Sequence, residues 1–515
     1  MTHTATVARR LIQPKPPIAA AASIASAASA ALLAIFALRS TSTFLHVAAP
    51  TLLVGVAAWM FFSEHYERTL AVLALYLGLF DGYLKLKTGS TIATLGRDVL
   101  LYAITSGALL RLILRHRPIR LSPLALVVAA WVLICMVQVL NPVVPSITHA
   151  FAGVRQHIEF VPLFFLGYAV MRSERRLIGL FWLLVVVAAA NGVVSLVQSG
   201  LTPAQLAAWG PGYSNEVFGT ATQTGRTFVD VATGVSYVRP PALGSDFGFG
   251  GAVAAIALPG ALAIALAGGR SKRYILVLAI GVVLAVVGLA TSQSRAAVVG
   301  AAVAVLAFLL LTVTTRRGLA TVVVTALLAL VTYFGVTTVF GGVTSAPNRY
   351  SSIAPTKVIS TAVAYRQGTF ELIPTYLVDY PLGDGIGSSG PAGGSSVGGA
   401  VSRTGLDAES EPTFLIIELG IPGLLVMYVL LLSGVRMGVA LRMVAERRLQ
   451  VALAALTAVF ISLLVGGFVG ADSANSPTSP FLWLALGTLA YWYSEMRRGH
   501  LASRSRRLRA TLSAR

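Results

Sequence analysis

The chain contains one cysteine in 515 residues, Cys135, and it lies inside an apolar run. An intramolecular disulfide is therefore excluded and a cysteine-based metal site is not expected. At that depth the thiol reads as a small packing group. Charge is scarce as well, at 11% of residues against about twice that in a soluble domain. Hydrocarbon stands in its place: 56% of residues are hydrophobic and the mean hydropathy is +0.79. This composition excludes an ordinary soluble fold and points to an all-α polytopic membrane protein.

Acidic residues are the scarcer of the two signs, 19 against 39 Lys and Arg, which gives a net charge of +20. In a soluble chain that excess would suggest a nucleic-acid partner. Here the basic residues fall in short segments between apolar runs, the pattern of the positive-inside rule, so a membrane surface is expected and nucleic acid is not.

The apolar runs read as spans over 18–38, 45–62, 69–86, 91–114, 123–141, 158–171, 177–198, 248–268, 273–291, 296–314, 318–340, 412–435, 449–470 and 478–494, about fourteen (12–14) helices. The first follows Arg9, Arg10 and Lys15 and resembles a signal peptide, but it is long enough to span and reads as an uncleaved helix. Basic clusters at Arg111/Arg115/Arg117/Arg120, Arg172/Arg175/Arg176, Arg270/Lys272/Arg273, Arg316/Arg317 and Arg436/Arg442/Arg447/Arg448 then fall on one side. Both termini are expected on that cytoplasmic side: a segment 1–17 and a basic tail 495–515. Spans one to eleven occupy 18–340 with a shorter outer loop at about 199–247, a large outer loop fills 341–411, and the last spans fill 412–494.

The large outer loop is polar and carries most of the unusual residues, and long loops in compact domains usually serve a function. Its glycine-rich run from Gly383 to Gly399 lacks the lysine of a phosphate-binding loop and reads as flexible turn chemistry. Arg295, at the end of Thr291-Ser292-Gln293-Ser294-Arg295, is either a snorkelling interfacial arginine or a phosphate clamp. Arg366 opens an amphipathic stretch running to Pro381-Leu382-Gly383, which would lie as a helix on the membrane face. Arg239 begins a Pro/Gly-rich approach, Arg239 to Phe247 with Asp246 inside it, read by default as a structural turn. Arg97-Asp98 reads as an internally satisfied pair, and Arg155 with Glu159 as an i,i+4 surface pair.

Glu409 stands just before an apolar helix. It is an acid at a helix N-terminus, or a general base tuned by Asp407 and Glu411, or one of three carboxylates holding a divalent cation.

Four places together resemble the O-antigen ligase and O-antigen polymerase superfamily of membrane glycosyltransferases. They are Arg239 to Asp246, Ser292-Gln293-Ser294-Arg295, Arg366 through Pro381-Leu382-Gly383-Asp384-Gly385-Ile386-Gly387, and Glu409-Ser410 followed by Gly420-Ile421-Pro422-Gly423. Likeness runs from about Arg239 to Gly470. In the ligase branch the last motif begins with histidine, and Glu409 occupies that position here.

The resemblance implies a GT-C-like fold in a bacterial cytoplasmic membrane. Its implied partners are a polyprenyl-pyrophosphate-linked glycan donor, a glycan or lipid-glycan acceptor and membrane lipid, with no cofactor and no metal. Arg295 and Arg366 would stabilise the leaving pyrophosphate, and Glu409 would engage the acceptor hydroxyl, with Arg239, Asp246, Asp407 and Glu411 as accompanying substrate-binding residues. A lipid-linked oligosaccharide flippase or other polysaccharide-export transporter is the alternative.

Overall fold

The computed structural model describes residues 43–515 except 90–91, 116–120, 145, 220–226, 230–235, 268–270, 390–409, 445, 469 and 514–515. Between 313 and 357 it describes only helical residues at 320, 323–324, 327, 331 and 333–335. The first expected span, 18–38, and the segment 1–17 lie outside the described residues, and the span 318–340 is described in part. Two compact units emerge, Met1–Glu64 and His65–Arg515. The first contains helix α1 (Thr43–Phe62).

Among its described residues the second unit has helices, connecting turns and one two-stranded ribbon. Its helices are α2 (Tyr66–Thr88), α3 (Ile92–Leu114), α4 (Ala125–Gln138), α5 (Ile147–Ile158), α6 (Pro162–Val170), α7 (Glu174–Ser199), α8 (Pro203–Ala207) and α9 (Pro211–Phe218). Strands β1 (Thr227–Val229) and β2 (Ser236–Val238) pair antiparallel. Then come α10 (Phe249–Ala267), α11 (Lys272–Thr291), α12 (Arg295–Thr312), α13 (Val358–Asp379), α14 (Glu411–Ala440), α15 (Arg447–Gly466) and α16 (Thr478–Ser513).

Among the described residues seven helices are long and apolar enough to cross a membrane: α2, α7, α10, α11, α12, α14 (counted to Met443) and α15. The protein is thus an all-α membrane protein in its general class. The expected span 158–171 is not one spanning helix. Only the nine residues of α6 are helical after the joint at Glu159, a length of about 14 Å at 1.5 Å per residue.

Local sequence explains where helices begin. Ser173 and Ser271 accept hydrogen bonds from the backbone N–H groups of Arg176 and Tyr274, capping α7 and α11. Helix α10 is at the centre, with 83% of its apolar window buried, packed by α7, α11, α12 and α15. A second contact joins α6 to α16, where Gly167 and Gly487 allow backbone approach: a Cβ on Gly487 would lie on Phe164 O, and one on Gly167 on Leu484 O. Small residues serve this purpose in lipid, where close packing drives helix association.

The two ends of the bundle gather different segments. At one end Arg111 Nε donates to Tyr66 Oη at 2.9 Å, Arg176 Nε to Glu67 Oε2 at 2.6 Å, Trp492 Nε1 to Met171 O at 2.9 Å and Arg447 Nη2 to Thr312 O at 2.7 Å. At the other, Lys87 Nζ donates to Trp209 O at 2.6 Å, Asn141 Nδ2 to Gly383 O at 3.2 Å and Glu411 N to Gly467 O at 2.7 Å. Each contact joins two segments that the charge pattern assigns to the same side.

Candidate functional site

The site lies at the end of the bundle away from the basic clusters, and its walls are set by three turns. The first is the approach Arg239 to Phe247. Gln198 of α7 donates from Nε2 to Ala242 O at 3.0 Å and accepts at Oε1 from Ala242 N at 2.8 Å. Two bonds from one amide hold Ala242 at φ 57°, a conformation its Cβ disfavours. Asn191, one helical face earlier, accepts from Leu243 N at 3.1 Å and donates to Gly78 O at 2.9 Å inside the π-turn of α2. Arg239 is half-buried before this turn, and Asp246 is exposed, accepting from Phe247 N at 2.7 Å.

The second turn is Ser292-Gln293-Ser294, which reverses the chain between α11 and α12 with Gln293 at φ 51°. Ser294 Oγ accepts from Ala297 N at 3.3 Å, which makes Arg295 the first residue of α12. Arg295 is half-buried there. A cation at a helix N-terminus faces the positive end of the helix dipole, an arrangement that favours an anionic partner nearby.

The third turn is the meeting of Pro381–Ser389 with α14. Helix α14 is broken at Gly420, whose φ of 67° and ψ of −167° interrupt it and leave Glu411–Leu419 as a half-helix. The loop fills the break: Asp384 N donates to Ile417 O at 2.6 Å and Ile421 N to Pro381 O at 2.9 Å. Gln138 of α4 also donates from Nε2 to Leu382 O. Gly383, Gly385 and Gly387 all have positive φ, so turn chemistry is present, but the run is docked rather than flexible over 383–389. Residues 390–399 of that run are outside the described set.

Beside the break, Glu418 is wholly buried and accepts three hydrogen bonds. They come from Ser389 N at 2.9 Å, Ser389 Oγ at 3.3 Å and His157 Nε2, which is 2.7 Å from Glu418 Oε2. The His157 ring stacks on Phe414 at 5.0 Å and meets the edge of Trp131 at 5.6 Å. Three chain segments are thus tied to one carboxylate.

A cavity of about 150 Å³ opens between the N-terminal ends of α10 and α12, the C-terminal end of α15 and the connection 470–478. Asp246, Ser294, Ser462, Asp472, Asn475, Ser476 and Thr478 provide its polar lining. Below it Glu411, buried as the first residue of α14, accepts at Oε2 from Ser473 N at 3.0 Å. Burial, and then the nearby Glu411 carboxyl, hold the Asp472 carboxyl well above the ordinary carboxylate range.

The structure places Arg295, Asp246 and Glu411 at this end of the bundle. Arg366 lies in α13, a helix that starts eight residues before it and packs on α12 and α14 through residues such as Tyr376; its side chain is outside the described residues. Glu409 and Asp407 also lie outside them. Among the described residues no group of three or more His, Cys, Asp or Glu is arranged to hold a metal ion.

Sequence reading passed over Asp472, Glu418, His157 and Ser389. An acid within Phe414–Leu419, an otherwise apolar run, was the available signal for Glu418. Arg155 and Glu159 are not a surface pair. Glu159 is 2% exposed and meets Arg97 Nε at 2.6 Å, while Arg97 also reaches Asp81 at 3.2 Å and Arg155 reaches Asp98 at 2.9 Å. Arg97 and Asp98 are therefore members of a five-residue network rather than an isolated pair, because a lone pair at that depth would not offset its desolvation.

No protein-family model matches the chain, and no curated protein matches it by sequence.

Proposed function

We propose that the protein is a membrane glycosyltransferase that transfers or polymerises a polyprenyl-pyrophosphate-linked glycan at the outer face of a bacterial cytoplasmic membrane, in the manner of the O-antigen ligases and polymerases it resembles. The observation that carries this reading is the convergence of the resembling segments at one end of the bundle. Asp246 and Ser294 line one cavity, Asp472 of the same cavity neighbours Glu411, and the half-helix begun by Glu411 is completed by Pro381–Ser389. Segments spread over more than 170 residues of sequence thus gather at one end of the bundle.

In this reading the Arg295 and Arg366 guanidinium groups neutralise charge developing on the leaving pyrophosphate. Glu409 engages the acceptor hydroxyl and receives its proton. The acceptor oxygen attacks the anomeric carbon, the bond to the pyrophosphate oxygen breaks, and polyprenyl pyrophosphate leaves with inversion. Arginine fits the phosphate role because its planar fork donates two parallel hydrogen bonds.

The test is analysis of surface polysaccharide in a deletion strain complemented with wild type, Arg295→Lys, Arg366→Lys or Glu409→Gln. Loss of long chains with single units retained identifies a polymerase, and accumulation of lipid-linked polymer identifies a ligase. Normal polysaccharide in the deletion strain overturns the reading.

One observation favours a second reading, a lipid-linked oligosaccharide flippase or other export transporter. Discontinuous helices beside a buried ionisable side chain, as at Gly420 and Glu418, are a feature of carriers. Transfer of labelled glycan by purified protein without any ion gradient separates the two.

A further inference from the structure

The cavity between Asp246 and Asp472 has a chemistry that the pyrophosphate clamp does not use. Its polar groups offer acceptors: two carboxyls, an amide and four hydroxyls, of which Ser462 and Thr478 donate within the protein, to Gly300 O and Asp472 O. Asp472 and Asp246 contribute carboxyls, and Asn475 keeps its side-chain carbonyl after Nδ2 is committed to Ala471 O at 2.8 Å. Ser476 Oγ is buried and makes no hydrogen bond among the described residues. The layer below is closed: Glu411 is buried there and held by Ser473. A buried polar atom left unpaired beside an opening marks a place that a polar ligand completes.

The ligand must be rich in donors, and two classes qualify: a cation or a polyhydroxylated molecule. A single ion is too small, since one water needs only about 10–15 Å³ of such space and the cavity measures about 150 Å³. The remaining lining is apolar, with Phe247, Phe249, Ile256, Val459 and Leu463, which suits a molecule with carbon faces and hydroxyl edges. The described lining holds no Lys, Arg or His, so a phosphate or an acidic sugar finds no cationic partner there.

We infer that this cavity is a binding subsite for one neutral pyranose ring of the glycan, with the Asp472 and Asp246 carboxyls accepting from ring hydroxyls on opposite walls and Ser294, Asn475 and Ser476 completing the set. The inference rests on the glycosyltransferase reading and narrows it to an uncharged sugar at this position. It also separates two roles in space: sugar hydroxyls bind among the carboxyls, and the pyrophosphate binds on the side of Arg295. The subsite joins the connection 470–478 to the site, a segment outside the four that carry the family resemblance.

Saturation-transfer difference NMR tests this on the full chain in lipid nanodiscs free of glycoside detergent. The probes are the methyl glycosides of glucose, galactose, mannose and rhamnose, with methyl glucuronide as the anionic counterpart. At least one neutral glycoside is expected to bind wild type and to weaken roughly tenfold or more in Asp472→Asn and Asp246→Asn, as loss of a carboxyl acceptor implies. Methyl glucuronide is expected to give no signal.

Absence of binding by every neutral probe, equal binding by both variants, or binding of the glucuronide as strongly as the neutral sugars overturns the inference. Asp246 is exposed, so its variant carries the test if Asp472→Asn does not fold. No donor and no transfer are involved. Failure here therefore leaves the strain phenotype standing, and a normal deletion strain overturns the glycosyltransferase reading without altering the binding result.

Discussion

Gly383 and Gly420 stand back to back across the break in α14. A Cβ on Gly383 would fall 2.8 Å from Gly420 N, and one on Gly420 would fall 2.6 Å from Gly383 N. Both residues have positive φ, 84° and 67°. Neither tolerates a side chain, for reasons of conformation and of space at once.

Gly420→Ala is accordingly expected to destabilise the protein by about 1–2 kcal/mol from the backbone conformation alone, and further through displacement of Pro381–Ser389. Gly368→Ala is the control, since nothing lies within 4 Å of its added methyl group. Melting of the purified variants checks this: a lowered transition is expected for Gly420→Ala, and no loss for Gly368→Ala.

Breaking the hydrogen bond between His157 and Glu418 is expected to cost about 1–3 kcal/mol, because the partner left behind is wholly buried. Replacing both by leucine should cost less than the sum of the single changes, since no buried polar group is left behind. A double-mutant cycle in chemical denaturation measures the coupling, and strict additivity would disprove it.

In the ionic network Arg97 is the hub, meeting both Glu159 and Asp81, whereas Arg155 is more exposed and chiefly serves Asp98. Arg97→Met is therefore expected to reduce the yield of folded protein more than Arg155→Met. The combination Arg97→Met with Glu159→Met should recover part of that yield. Size-exclusion profiles after extraction report the difference.

The Asp472 carboxyl is raised above its ordinary value of 3.8 when folded, first by burial and second by Glu411. Glu411, with His157 near it, and Asp246 across the cavity are the titratable groups around it. A carboxyl raised in this way binds more protons in the folded state. Its contribution is therefore best below 3.8 and declines as pH climbs through 3.8 towards the raised value. Thermal stability across that interval should fall less in Asp472→Asn than in wild type. An identical slope would remove Asp472 from the balance.

Sidedness is open to direct measurement because Cys135, the one native cysteine, is fully buried. A membrane-impermeant maleimide is expected to leave wild type unlabelled in intact cells. It should label Asn215→Cys, in the segment assigned outside, and should reach Arg442→Cys only after permeabilisation. Labelling of Arg442→Cys in intact cells would invert the topology.

Hydropathy located helices well where they are continuous. The expectation 273–291 corresponds to Lys272–Thr291, and 177–198 to Glu174–Ser199. It failed at joints. Glu159 interrupts the run expected over 158–171 because it is held by Arg97, and no local pattern announces a partner 62 positions away. The motif Gly420-Ile421-Pro422-Gly423 was visible as a spacing. That Pro381–Ser389 would fill the break was not, since backbone docking between distant segments leaves no periodicity. Asp472 was passed over because it sits in a short connection between two spans, where polar residues need no special reason.

The bond between His157 and Glu418 joins positions 261 residues apart, and the one between Trp492 and Met171 spans 321. Early helices of the second unit must therefore wait during synthesis, with groups that only the last quarter of the chain can satisfy. At about 5–20 residues per second, that interval is on the order of ten seconds to a minute. A polypeptide that stalls before residue 418 leaves the His157 imidazole without its carboxyl partner.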